Sequence, residues 1–252
     1  MDAPIGLPAA YAARLATGAE DFPAFLAQLP SDAAFFDVCD TIAEVSLARP
    51  FFPRGVQGRP RRLAHAERLG VDDPAALLRH CERRTPDRPA AASLFWTLGA
   101  NQVGKAALSL WRELLLPALA GPSPPLLWPF AGRLHALLRP GAVVVAETYP
   151  AEALRQLGLT LAGSKRRQAD RAAIAPALFR RLSDVQATPD PALERAIAAG
   201  FGPDALGEDR FDSLVGLLGL LRVLADPAHD TVPDHDPMLR WEGWILGQRI
   251  DA

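Results

Sequence analysis

Four acidic residues lie where a sheet covered by helices would expose its functional side chains: Asp2, Glu147, Asp209 and Asp212. Asp2 lies at the end of the first predicted strand, and Glu147 directly follows the apolar run GAVVVA. Asp209 and Asp212 are three residues apart and therefore project to one face of a helix. Clustered carboxylates repel one another unless a divalent cation neutralises them, and Mg²⁺ prefers oxygen ligands. The four residues together predict a site for Mg²⁺ or Mn²⁺. Two such ions would activate a water and stabilise the leaving oxygen of a phosphodiester.

Each of these residues also has a purely structural explanation. Asp2 can form the turn before Pro4, and Glu147 can close a strand at the surface. The two helix aspartates complement the helix dipole. For each residue taken singly the structural explanation is the stronger one, and the combination alone favours a metal site.

A basic cluster, Lys165, Arg166 and Arg167 with Arg171, accompanies a predicted helix. Lys165, Arg166 and Arg167 are the predicted substrate-binding residues, because cations near a helix start attract phosphate. The alternative is a solvated helix face. The chain carries a formal net charge of -2 and has a pI near 6.2, which argues against a broad basic surface. Contacts with nucleic acid would therefore be local.

Other chemistries find little support in the sequence. None of the five histidines pairs with another at the i, i+4 spacing of zinc enzymes. Cys39 and Cys81 are far apart, which suits a reducing cytoplasm. No apolar run is long enough for a membrane span and the start lacks the pattern of a signal peptide. The sequence therefore predicts a cytoplasmic protein with no membrane contact.

The elements that must position these residues are mainly helical. Gly141–Ala146 is the clearest predicted strand, and Met1–Pro8 is predicted to be the end of a short strand that leads into a turn. The predicted helices before the central strand are Ala9–Ala16, Asp21–Leu29, Pro74–Arg84 and Ala91–Leu119. Those after it are Pro150–Leu157, Lys165–Leu182, Pro191–Ala199 and Arg210–Leu224.

Motifs spread over nearly the whole chain resemble one family, the predicted nucleases grouped as domain of unknown function 429 in the ribonuclease H-like superfamily. The motifs are DAPIGLP from Asp2, RHCER from Arg79, FWTLG from Phe95, NQVGK from Asn101, ETYPA from Glu147, SKR from Ser164, GEDRFDS from Gly207 and EGWILG from Glu242. The most specific are ETYPA, the D-x-x-D helix and EGWI.

The resemblance implies an α/β fold: a mostly helical chain around an incomplete ribonuclease H-like sheet. Residues 1–252 would form a single domain with a helical insertion over about 20–120. Asp2 would lie on the fourth strand, Glu147 would end the fifth, and the last helix would present Asp209 and Asp212. The implied activity is metal-dependent phosphodiester hydrolysis with Mg²⁺ or Mn²⁺, acting on a nucleic acid or a nucleotide.

The chain departs from the family pattern at its beginning. Relatives carry an aspartate on a first strand and two further strands before the segment that matches Met1–Pro8. The sequence is therefore expected to be an N-terminally incomplete or degenerate copy that lacks one metal ligand. This departure favours the alternative of a non-catalytic binding or scaffold protein with a degenerate core. A third interpretation, a small-molecule phosphohydrolase or nucleotide-binding enzyme, explains the acidic pI better than a nuclease does.

Overall fold

The computed structural model describes residues 1–52, 59–86, 88–97, 103–204 and 206–250. Helices dominate these residues, and the described strands form a small parallel sheet of two, β1 (Leu126–Leu127) and β2 (Val144–Val145). Leu126 lies opposite Val144 and Leu127 lies opposite Val145. This confirms the coarse prediction of a mostly helical chain with a parallel β element. The central strand is shorter than the six residues of GAVVVA.

Eleven α-helices are described: α1 (Ala9–Ala12), α2 (Phe22–Gln28), α3 (Arg59–Arg68), α4 (Val103–Ser109), α5 (Leu116–Leu119), α6 (Leu134–Leu137), α7 (Pro150–Gln156), α8 (Gln168–Ala173), α9 (Ala175–Asp184), α10 (Pro191–Ala198) and α11 (Leu206–Ala225). Short 3₁₀ turns lie at Ala34–Phe36, Ile42–Glu44, Pro74–Leu77, His80–Glu82 and Pro227–His229. π-Helical turns lie at Leu110–Leu115 and Met238–Glu242. None of the helices in the described ranges is long and apolar enough to cross a membrane.

The chain divides into two compact units, each made of segments distant in sequence. The helical unit consists of Met1–Asp2, Thr148–Thr231 and Ile245–Arg249. The strand-containing unit is built mainly from Ala3–Glu147 and Val232–Trp244. Both units use segments from early and late in the chain. The single domain predicted over 1–252 stays a prediction.

The strand-containing unit has an aromatic core. Trp111 is fully buried in the π-helical turn Leu110–Leu115, and its indole N–H donates to the carbonyl of Pro4 at 2.8 Å. Phe22 and Phe51 pack on the same indole, with ring centroids 5.1 and 6.1 Å from it. Most of the predicted helical insertion thus contributes to the core of this unit.

In the helical unit, α7 packs against α11 along a line of small residues. A methyl group added to Gly219 would lie 3.3 Å from the Cβ of Ala153, so the two helices approach closely there. Phe211, Val215 and Leu218 form the buried face of α11. This packing fixes the direction in which the first turns of α11 present their polar side chains.

Four predicted elements are wrong. In place of the helix predicted over Pro74–Arg84, the chain forms two 3₁₀ turns, Pro74–Leu77 and His80–Glu82, and the residues between them are extended. Residues 1–8 form no strand, because the amide of Ile5 donates to a side chain and that of Leu7 donates to the carbonyl of Trp241. The described residues 91–97 are not helical, and the helix begins at Val103, while 98–102 lie outside the described residues. The helix predicted from Lys165 starts at Gln168 and breaks at Ile174, because Pro176 offers no amide hydrogen to continue it.

Candidate functional site

A pocket in the helical unit collects three of the four predicted acidic residues. It has a volume of about 470 Å³, and its polar lining includes Asp2, Asp209, Asp212 and Ser213. Met1, Thr148, Gly216, Leu217 and Leu220 complete the lining. We call it the aspartate pocket.

Two local features bring Asp2 to the beginning of α11. The amide of Thr148 donates to the carbonyl of Met1 at 2.8 Å, which ties the first residues to the segment that follows the central strand. Gly216 lies on α11 opposite Thr148, and a methyl group there would come within 3.3 Å of the threonine hydroxyl. The glycine therefore allows the segment of Thr148 to lie close against the helix.

Asp212 is the most buried carboxylate of the aspartate pocket. Its Oδ2 accepts from the Lys165 ammonium at 2.5 Å, whereas its Oδ1 is buried and has no hydrogen-bond partner in the described part of the chain. Burial raises the pKa of Asp212, and the Lys165 charge offsets this only in part. A buried oxygen without a donor is costly, so this atom is suited to bind a cation.

Lys165 links Asp212 with a second carboxylate. Its Nζ lies 2.5 Å from Asp212 Oδ2 and 3.3 Å from Glu208 Oε1. Burial opposes the charge of Lys165, but the hydrogen bonds and charges of the two carboxylates outweigh it and raise the pKa of Lys165. The predicted phosphate contact is therefore a charged ammonium beside the aspartate pocket.

The other basic residues of the predicted cluster have different surroundings. Arg166 is exposed, and Arg167 pairs with Asp170 at 2.6 Å while its side chain remains mostly exposed. Arg171 is fully buried, and its guanidinium donates to the carbonyls of Lys165, Gly200 and Gly202. Arg171 thus organises loops, and the role of Lys165, Arg166 and Arg167 as phosphate contacts stays a prediction.

Glu147 belongs to the strand-containing unit and is bound by an arginine. Its side chain is buried, and each carboxylate oxygen accepts from one terminal nitrogen of Arg79 at 2.7 Å. Oε2 also accepts from the amide of Ile5 at 2.8 Å. The structure places this carboxylate in a two-pronged ion pair, and Glu147 is not among the residues that line the aspartate pocket.

Arg79 is the centre of a buried network that the sequence reasoning missed. It also binds Glu82 at 2.9 Å and the carbonyl of Glu242 at 3.0 Å. The Glu242 carboxylate accepts from the amides of Ala9 and His80. Residues from the motifs DAPIGLP, RHCER, ETYPA and EGWILG therefore meet in one network. The motif residues were visible in the sequence, but the pairing of positions 68 residues apart was not.

The aspartate pocket offers a divalent ion a small number of oxygen ligands. The described residues contain no group of three or more His, Cys, Asp or Glu side chains placed to hold a metal ion. Mg²⁺ usually keeps several waters and needs only one or two carboxylates together with substrate phosphates. Asp209 and the unpartnered Oδ1 of Asp212 are one helical turn apart, so the residues fit a hydrated ion.

No family model matches the sequence, and neither a curated protein nor a solved structure matches it.

Proposed function

We propose that the chain is a metal-dependent phosphodiester hydrolase of the nuclease type, with its site in the aspartate pocket. The observation that carries the proposal is the buried, unpartnered Oδ1 of Asp212 in a pocket that Asp2 and Asp209 also line. The resemblance of the motifs to ribonuclease H-like predicted nucleases supports the same conclusion. We also propose a cytoplasmic location, which the two buried cysteine thiols suit.

Asp209 and Asp212 would hold Mg²⁺ or Mn²⁺, with Asp2 as a further carboxylate in the pocket. The bound ion would supply a water of lowered pKa and charge stabilisation for the phosphate. We place Glu147 outside this ligand set, because its oxygens already bind Arg79 and the amide of Ile5.

In the proposed reaction, the oxygen of a water forms a bond to phosphorus and one ester P–O bond breaks. The products are a phosphate monoester and an alcohol, and the alcohol oxygen leaves with a proton. Lys165 has two tasks in this scheme. Its ammonium opposes the effect of burial on the pKa of Asp212, and it would orient a phosphate oxygen bound next to that carboxylate.

The test is hydrolysis of bis(p-nitrophenyl) phosphate and of single-stranded oligonucleotides with and without Mn²⁺. We expect Asp212→Asn to abolish the Mn²⁺-dependent rate. The matched control is Asp184→Asn on α9, because Asp184 is exposed and pairs with Arg181 outside the pocket. Retention of the full rate in Asp212→Asn would remove the aspartate pocket from the reaction.

A non-catalytic binding or scaffold protein is the second candidate. Two contacts favour it: Glu147 is bound by Arg79, and the charge of Asp212 is already balanced by Lys165. This candidate predicts no hydrolysis with any divalent ion. It also predicts no change in thermal stability on addition of Mn²⁺.

A further inference from the structure

A second cavity in the helical unit adjoins the aspartate pocket and is mainly apolar. Its volume is about 470 Å³, and its apolar lining is Leu193, Ala196, Phe201, Leu206, Leu214 and Leu217. We call it the apolar groove. Asp209, Ser213 and Leu217 line both cavities and are spaced four residues apart on α11. A single ridge of one helix therefore separates the two cavities.

The loop at the end of the apolar groove is held in a strained conformation. Phe201 has a φ of +63°, which is unfavourable for a bulky side chain, between two glycines that also have positive φ. Arg171 donates to the carbonyls of Gly200 and Gly202, and Arg210 donates to that of Phe201. These bonds hold the backbone of the loop, and the ring of Phe201 is buried against Phe211 beside the groove.

Two leucines at the apolar groove are exposed to water. Leu206 is 57% exposed and Leu217 is 46% exposed. Exposed apolar residues that adjoin a polar pocket are typical of ligand sites, since a ligand that covers them removes apolar surface from water. Arg210 also lines the groove, and its half-exposed guanidinium lies 3.7 Å from the carboxylate of Asp204.

We propose that the apolar groove binds the aromatic part of a phosphate ester whose phosphate lies in the aspartate pocket. This inference rests on the proposed function and narrows its substrate class. The preferred substrates are esters with an aromatic group, such as a nucleobase or an aryl ring, near the phosphate. The shared ridge of Asp209, Ser213 and Leu217 allows one ligand to occupy both cavities.

The groove is tested without metal by fluorescence titration of the full chain with 2-aminopurine riboside, an aromatic probe that carries no phosphate. The variants are Leu206→Ser, which removes apolar surface from the groove alone, and Ala196→Leu, which fills it. The control is Leu138→Ser, because Leu138 is exposed to a similar extent and belongs to the strand-containing unit. We expect both groove variants to bind the probe about three- to tenfold more weakly and the control to match the original chain.

A separate titration with Mn²⁺ distinguishes failure of the groove from failure of the proposed function. If the chain binds Mn²⁺ and all variants bind the probe with equal affinity, the groove is not an aromatic site, whereas the proposed hydrolase function is retained. The groove is also overturned if the original chain does not bind the probe. Weaker probe binding in the groove variants without any Mn²⁺ binding supports the groove as an aromatic site and overturns the hydrolase.

Discussion

Arg79 illustrates how single residues determine the interior of the strand-containing unit. Its guanidinium is almost completely buried and pairs with Glu82 and Glu147. Burial raises the pKa of Glu82, and the charge of Arg79 opposes this effect. A buried carboxylate without its partner is strongly unfavourable, so the carboxylates depend on the arginine.

Replacement of Arg79 by Met should lower the free energy of unfolding by about 3–5 kcal/mol, because two buried carboxylates lose their counterion. The control is Arg240→Met, whose pair with Asp236 is exposed and should contribute less than about 1 kcal/mol. Urea unfolding monitored by tryptophan fluorescence measures both values. Similar small losses in the two variants would show that the network is not a source of stability.

His65 should make stability depend on pH. The ring is buried against Phe52, and its Nε2 lies 2.8 Å from the carbonyl of Pro50. Burial lowers the pKa of His65 below its usual 6.5, and the contact with Pro50 opposes this only in part. As the pH falls through 6.5, the imidazole of His65 takes up a proton in the unfolded chain but not yet in the folded chain. The contribution of His65 to the free energy of unfolding is therefore complete above this pH and is lost on acidification.

We expect the free energy of unfolding to fall between pH 7.5 and pH 5.5 by up to about 1.4 kcal/mol per pH unit through this group. His65→Gln keeps an N–H donor and removes the titration, so it should flatten that part of the profile. Urea unfolding at the two pH values gives the difference. If stability depends on pH in the same way in the original chain and the variant, His65 is not the source of this dependence.

The beginning of α11 packs closely against the loops whose carbonyls accept hydrogen bonds from Arg171. A methyl group added to Gly207 would lie 2.5 Å from Arg171 Nη2 and 2.6 Å from the carbonyl of Gly202. Helix propensity favours Ala over Gly by about 1 kcal/mol, but a contact this short forces the neighbours to move. The contact with Arg171 therefore determines whether replacing Gly207 by Ala raises or lowers the free energy of unfolding.

Gly207→Ala should lower the free energy of unfolding by about 1–3 kcal/mol. Gly18→Ala is the control, since its added methyl group meets no atom within 4 Å and should change stability by less than about 0.5 kcal/mol. Thermal unfolding of the two variants compares them directly. A more stable Gly207→Ala variant would show that Arg171 and the Gly202 loop can move to make room for the methyl group.

Helices with local end signals were predicted well from the sequence. The predictions Pro150–Leu157 and Pro191–Ala199 differ from α7 and α10 by one residue, because a proline in the first turn marks where each helix begins. Segments whose partners are distant were predicted poorly. In Met1–Pro8, the amides of Ile5 and Leu7 bind Glu147 and Trp241, which no local pattern reveals.

The same distinction applies to the candidate site. The spacing of Asp209 and Asp212 predicted a shared helix face, and both residues line one pocket. The position of Asp2 depends on a hydrogen bond between Met1 and Thr148, which spacing cannot show. Glu147 was grouped with the aspartates from its position after a strand, but its carboxylate binds Arg79, far away in sequence.

At the scale of the whole molecule, charge limits how a substrate can be recognised. With a net charge of -2, the chain lacks the excess of basic residues that long polyanions require. Under the proposed function, recognition would come from the immediate surroundings of the aspartate pocket. A short or monomeric phosphate ester fits this balance better than extended duplex nucleic acid.

Isothermal titration calorimetry with Mn²⁺ tests whether the aspartate pocket is a metal site. The titration is made on the original chain, on Asp209→Asn and on Asp212→Asn. Asp184→Asn is the control, because its carboxylate lies on α9 outside the pocket. We expect the original chain and the control to bind Mn²⁺ and both pocket variants to lose most of the affinity. Binding that is unchanged in Asp209→Asn and Asp212→Asn, or that is absent in the original chain, would contradict it.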